Sequence, residues 1–336
     1  MERINQMATT PTPQAPASRL KGSRGLWHSR GRTGSLLACI LLLLLNCIFT
    51  PNFLRFQTLG INLQQMSSTT IVAIGMTLVI ATGGIDLSVG SVMAIAGVLA
   101  PLLFLHIANP VLGLALALFL PLLAGAACGL FNGWLVARIQ LQPIIATLIL
   151  FTAGRGIAQV LTNGAGQPFT NAGFSWLGKG SLLGLPVQAY LMALLLVVFS
   201  LFMRGTRFGR SIQAIGGNAE AARLAGVPVA RTRIAVYVIT GVLAALGGLI
   251  VVSLNSNSDP STVGLNVELN AIAAVAIGGT SLLGGEARVF GTFLGALITQ
   301  LIYTFLVGNN VPQATALVVN ALIILVAVYL QIRPQS

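Results

Sequence analysis

The chain has 336 residues, of which 55% are hydrophobic and only 7% charged, and its formal net charge is +12. Soluble domains carry about 25% charged residues, so this composition rules out an ordinary soluble protein and describes a polytopic membrane protein. The six acids, Glu2, Asp86, Glu220, Asp259, Glu268 and Glu286, are too few and too scattered for carboxylate catalysis or a hard-metal site.

The excess of basic residues does not point to nucleic acid. Lys and Arg flank apolar stretches, which is a topology signal. Cys39, Cys47 and Cys128 fall inside apolar stretches without metal-ligand spacing, and His28 and His106 are isolated from each other and from any acid. No metal and no cofactor is expected.

Residues 1–34 are polar, with Pro11, Pro13 and Pro16 followed by Arg19, Lys21, Arg24, Arg30 and Arg32. They read as a disordered, basic cytoplasmic tail. No small-residue cleavage site ends the next apolar stretch, so that stretch is expected to stay as an uncleaved first helix. From there residues 35–332 read as one all-α transmembrane domain of about ten helices, each near the roughly 20 residues that cross the hydrocarbon. The segments are 35–51, 62–82, 86–106, 111–137, 142–162, 186–204, 233–254, 267–284, 289–307 and 312–332.

A cytoplasmic N-terminus places Arg138, the cluster from Arg204 to Arg233, Arg288 and Arg333 inside, leaving Arg55 and Lys179 outside. Ten spans with both termini inside satisfy this bias.

Three stretches carry candidate chemistry for a substrate path. The second span opens with polar residues, and Asn62, Gln65 and Thr69 share one helical face. The ninth carries Gln300, Tyr303 and Thr304, and the tenth Gln313 and Asn320. Neutral amides and hydroxyls suit transient contacts with a solute's hydroxyls, because they donate and accept without trapping an ion; they also serve as interhelical glue. Arg155 lies inside the fifth span, where an ionisable group needs a partner or a wet cavity unless it snorkels outward. Asp86 either accepts backbone N–H bonds where a helix restarts at Leu87 and Ser88, or contacts substrate.

The external loop 163–185 contains Phe169, Phe174, Trp176 and Lys179. Trp176 and Lys179 could dock a soluble partner, or the aromatics could simply anchor the loop at the headgroups. Two glycine clusters, Gly83-Gly84 to Gly90 and Gly278-Gly279 to Gly285, each interrupt an apolar run in their own half. Duplicated halves with broken helices are a transporter pattern.

The loop 205–232 is the basic, charged feature between spans. Within it NAEAARLAGVPV, residues 218–229, reads as a short helix capped by Asn218, with Glu220 in its first turn and Gly226 as terminator. Arg223 supplies a charge on the same segment.

Four stretches together resemble the permease subunits of bacterial ABC importers for monosaccharides, the ribose, xylose, autoinducer-2 and galactofuranose group. They are AIGMTLVIATGGIDLSVGSVMAIAG (73–97), QPIIATLILFTAGRG (142–156), AIGGNAEAARLAGV (214–227) and LNAIAAVAIGGTSLLGG (269–285). The continuation ATLILFTAGRGIAQ is most similar to galactofuranose-type permeases.

The resemblance implies the ABC permease fold in a bacterial inner membrane, with a coupling helix at Gly217, Asn218, Glu220, Ala221 and Gly226 that lies in a cleft of the ATPase. It further implies an ABC ATPase subunit, a periplasmic or lipid-anchored sugar-binding protein, and a second permease, identical or paralogous. ATP hydrolysis belongs to a separate subunit, since this chain lacks a G-x-x-x-x-G-K-[ST] phosphate loop.

The rival readings are an ion-coupled secondary transporter, an ABC permease for branched-chain amino acids and a passive channel. The first wants an acid relay that Asp86 and Glu268 alone make poorly, and the second wants charged groups along the path. The third leaves the loop 218–229 without a job.

Overall fold

The computed structural model describes residues 24–312 together with 314, 315, 318, 319, 321 and 322. Its helices are α1 (Arg24–Phe49), α2 (Phe56–Ala81), α3 (Val89–Leu105), α4 (Pro110–Ala137), α5 (Pro143–Thr162), α6 (Ala172–Lys179), α7 (Val187–Gly205), α8 (Arg207–Gly217), α9 (Ala219–Leu224), α10 (Val229–Asn255), α11 (Val267–Ile277) and α12 (Val289–Gly308). Two-residue ladders join Gln167–Pro168 to Asn257–Ser258 and Ser181–Leu182 to Leu185–Pro186.

Six of these helices, α2, α4, α5, α7, α10 and α12, are long and apolar enough to cross a membrane; the apolar runs Gly34–Phe49, Val89–Leu105 and Val267–Ile277 are shorter. The tenth expected span, with Gln313 and Asn320, falls largely outside the described residues. The eighth is shorter than its sequence suggested. It stops at Ile277 instead of running to 284, so α11 is about 16 Å long, half the ~30 Å hydrocarbon thickness.

The first helix starts earlier than expected, at Arg24 and not at 35. Once an apolar span has nucleated, propagation into a stretch without proline adds one hydrogen bond per residue fixed.

Helix ends follow local chemistry. Asn109 Oδ1 accepts from the N–H groups of Val111 (3.0 Å) and Leu112 (3.2 Å), and Pro110 opens α4. The two glycine clusters end their helices alike. Gly83 N–H donates to Ile80 O and Gly84 N–H to Val79 O, while Gly279 N–H donates to Ala276 O and Thr280 N–H to Val275 O. Gly83 and Gly279 take φ of +81° and +80°, a conformation in which a Cβ is costly.

Packing centres on α2 and α10. Every residue from Thr70 to Ala81 is buried. In lipid there is no hydrophobic drive between helices, so close approach and interhelical hydrogen bonds hold the bundle. Ser68 Oγ donates to Gly247 O (3.1 Å) and Thr240 Oγ1 to Gly75 O (3.1 Å), and Thr77 and Thr292 pair hydroxyls at 2.7 Å. Such bonds contribute about 0.6 kcal/mol each. Gly125, Gly129 and Gly133 let α4 lie directly against the α10 backbone at Ile234, Tyr237 and Gly241.

The connections segregate to two ends of the bundle. One end holds the 82–88 turn, the 138–142 loop, α8, α9 and the 278–288 loop; Gly285 N–H donates to Ala81 O there at 3.1 Å. The other holds 106–109, 163–186 and 256–266, with the Phe169 ring tilted against Phe104 (5.3 Å) and Phe174 (4.6 Å).

Candidate substrate path and coupling surface

The polar faces expected on α2 and α12 meet. Gln300 Nε2 donates to Asn62 Oδ1 (3.0 Å) and to Gln65 Oε1 (2.9 Å), and Thr304 Oγ1 donates to Asn62 Oδ1 (2.5 Å). Asn62 and Gln65 are about 9 and 14 Å along α2 from Phe56, and Thr304 and Gln300 about 6 and 12 Å along α12 from Gly308, so the cluster lies between those helix ends and the middle of the bundle. Thr69 is half-buried further along α2, and Tyr303 is exposed beside Gln300.

Amides on the outer face of a single chain at that depth are costly against lipid, which offers them no hydrogen bonds. Here the cluster's amides bond to one another across the α2–α12 contact, with Gln65 exposed. These neutral donors and acceptors can exchange one another for the hydroxyls of a passing solute.

Asp86 is not part of this cluster. It is buried in the break between α2 and α3, where its Oδ1 accepts from Ser88 N–H (2.9 Å) and Ser88 Oγ (2.7 Å). Asn132 Nδ2 in turn donates to Ser88 Oγ (2.8 Å). Of its two sequence readings, the geometry matches the helix-restart one: the carboxylate ties α3 to α4.

Asn132 was not singled out from sequence. Its signal was a lone amide in an apolar span, flanked by Gly129 and Gly133.

Arg155 has found partners within the chain. Its Nη1 donates to Pro260 O (2.9 Å) and Val263 O (2.6 Å), in the non-helical segment that leads into α11. That segment reaches deep into the bundle, because Gly264 packs against Gly90 at the start of α3. Irregular backbone at membrane depth is tolerated where protein satisfies its carbonyls, and Arg155 does so for two of them. Glu268, in the first turn of α11, is buried, with its carboxyl against Gly90. The sequence marked Glu268 only as half of a poor relay with Asp86.

The loop 205–232 is two helices and a turn. Thr206 caps α8 through Gly209 N–H (3.1 Å), and α8 buries Ile212 and Ile215. Asn218 Oδ1 accepts from Ala221 N–H (2.9 Å), the N-cap expected from sequence, and Gly226 takes φ +82° as the terminator. Glu220 and Arg223 form an exposed ion pair at 2.6 Å. The Arg223 guanidinium bonded to Glu220 holds its carboxyl below the usual carboxylate range.

A cavity of about 660 Å³ lies beside α9, bordered by Gly83, Gln142, Glu220, Arg223 and Arg233. It belongs to this end of the bundle and not to the amide cluster.

Gly216, whose neighbour Gly217 was the singled-out residue, lies in contact with the backbone at Ala81 and Gly285, leaving no room for a Cβ. The doublet Gly216-Gly217 was its only sequence signal.

At the other end, α6 is a helix where a loop was expected, capped by Asn171 through Phe174 N–H (3.1 Å). Phe169 and Phe174 are buried, so neither is an interfacial anchor; Trp176 is exposed. Lys179 Nζ donates to Ser256 Oγ (2.5 Å) and remains exposed.

The family described as the branched-chain amino acid transport system / permease component matches residues 59–328. The chain belongs to this permease family. It is 41% identical over 305 residues to the ribose import permease of Escherichia coli K12, covering 90% of this chain and 94% of that one. It is 41% identical over 309 residues to the galactofuranose transporter permease of the same strain, covering 88% of each. An L-arabinose ABC transporter permease from Azospirillum brasilense is 34% identical over 327 residues, covering 97% and 95%. No solved structure matches the chain. The protein is a multi-pass membrane permease of an ABC importer, the non-catalytic partner of a separate ATPase.

Proposed function

We propose that this permease imports a monosaccharide, a pentose or hexose of the class carried by ribose, galactofuranose and arabinose permeases. The observation that carries the reading is the alignment with relatives named for those sugars over nearly the whole chain, at 34–41% identity. The cluster of Asn62, Gln65 and Gln300 supports it: three neutral amides match a polyhydroxylated solute and supply no counter-charge to the ammonium and carboxylate of an amino acid.

The importer works with an ATPase and a substrate-binding protein. In this reading a second permease, identical or paralogous, faces the amide cluster and closes the other half of the path. Ten spans place both termini on the cytoplasmic side of a bacterial inner membrane. Helices α8 and α9 meet the ATPase there, with Gly217, Asn218, Glu220, Ala221, Arg223 and Gly226 as the coupling residues. Trp176 and Lys179 meet the binding protein outside, and Thr69 and Tyr303 extend the path. Affinity along the path is weak, since a conducted solute must also leave.

The test is entry of labelled ribose, arabinose or galactofuranose into proteoliposomes holding the whole complex, with ATP on the ATPase side. Uptake of at least one sugar should need ATP and the binding protein and survive an ionophore. Collapse with the ionophore in ample ATP identifies an ion-coupled transporter instead. Uptake of leucine but no sugar restores the amino-acid reading.

A further inference from the structure

The 278–288 loop has no role in the reading above, yet hydrogen bonds and backbone contacts fix it in place. Thr280 Oγ1 accepts from Arg288 N–H (3.1 Å), closing the loop across its base, and Gly284 N–H donates to Ser281 O (3.1 Å). Leu282 packs into the principal core. Gly285 N–H donates to Ala81 O, and Gly284 and Gly285 lie against Gly216 and Gly217 at the end of α8.

What this frame presents is Leu283, 89% exposed at the tip. A leucine on the flank of the bundle would meet lipid. This one stands at the end of the bundle, on a loop that touches the last residues of α8. The chain then continues through Asn218 into α9, which presents Leu224, 78% exposed. Each leucine has an Arg–Glu ion pair beside it in sequence: Glu220 with Arg223 (2.6 Å), and Glu286 with Arg288 (3.0 Å). An exposed apolar residue with an ion pair a few residues away, repeated at two neighbouring sites, has the make-up of a protein–protein contact, an apolar anchor with a polar edge.

We infer that Leu283 is a second docking knob for the ATPase, so that the partner grips the permease through both α9 and the loop between α11 and α12. The inference rests on the reading of α9 as the coupling helix. It adds a mechanical consequence: the ATPase would hold α12, which carries Gln300, directly and not only through α8 and α9.

The experiment measures binding of the purified ATPase to full-length permease in lipid nanodiscs, for wild type, Leu224→Glu and Leu283→Glu. A photo-crosslinking amino acid at position 283 is tested in the assembled complex in parallel. Leu283→Glu should weaken binding about tenfold, the loss of one anchor, with an unchanged thermal midpoint because the side chain is exposed. The crosslinker should capture the ATPase.

Wild-type affinity for Leu283→Glu while Leu224→Glu binds weakly overturns this inference alone. Wild-type affinity for both overturns the coupling-helix reading itself. If Leu283→Glu fails to insert, the crosslinker decides: capture of the ATPase supports the contact, and capture of lipid alone overturns it.

Discussion

Gly216→Ala tests whether the joint between α8 and the two glycine turns transmits force. A Cβ there would overlap the Ala81 carbonyl oxygen and the Gly285 nitrogen, the two atoms that share a 3.1 Å hydrogen bond. Breaking that bond removes about 1 kcal/mol, and forcing a methyl into packed backbone costs about 1–3 kcal/mol. Together these give about 2–4 kcal/mol, concentrated where α8, α2 and the α11–α12 loop meet.

Gly217→Ala is the internal control, since nothing lies within 4 Å of its would-be Cβ. Thermal midpoints of detergent-solubilised permease, and uptake with ATP hydrolysis in the reconstituted complex, provide the readouts. The Gly216 variant should melt earlier and import at a tenth of the wild-type rate or less, about 1.4 kcal/mol or more of lost coupling. Its ATPase should stay bound through α9 and keep hydrolysing. Gly217→Ala should keep the wild-type thermal midpoint. Equal behaviour of the two variants would refute the joint.

Asp86→Ala should lower the melting midpoint, because Ser88 N–H and its hydroxyl lose their acceptor at about 1–3 kcal/mol per buried unsatisfied group. Asp86→Asn keeps an acceptor oxygen and should recover most of the loss; equal midpoints for both would discard the tie between α3 and α4. Arg155→Leu strips the Pro260 and Val263 carbonyls of their donor, at about 1.5–3 kcal/mol for each charge-assisted bond. Hydrogen exchange across 259–266 should then quicken while the α2 amides stay protected, and unchanged exchange would remove Arg155 from that role. For topology, cysteines at Leu183 and Leu224, both strongly exposed, are labelled with an impermeant thiol reagent in intact cells lacking Cys39, Cys47 and Cys128. Position 183 should react and 224 should not; the reverse would invert the orientation.

The amino-acid sequence by itself determined the membrane character, most of the span positions and the capped, glycine-terminated helix after Asn218. These depend on local quantities: about 20 apolar residues per crossing, an amide at an N-cap, a glycine where φ turns positive. It also marked Asn62, Gln65 and Gln300 as candidates, since helical spacing puts polar residues on one face. That those faces touch, with α2 and α12 more than two hundred residues apart in sequence, was decided by the tertiary structure alone.

The same holds for the half-length of α11. Gly278-Gly279 marks an interruption in the sequence, but not that the turn locks against Gly291 or that Gly264 approaches Gly90, contacts that confine the helix to Val267–Ile277. The partners of Arg155 and Asp86 were illegible for a related reason. A buried charge announces that it needs a partner, but backbone carbonyls carry no sequence signature, and any segment could have supplied them. Burial of Phe169 and Phe174 follows from how α6 packs on α10, α7 and α4 and how Phe169 meets Phe104 of α3, so identical aromatic residues in the same loop could equally have faced the headgroups.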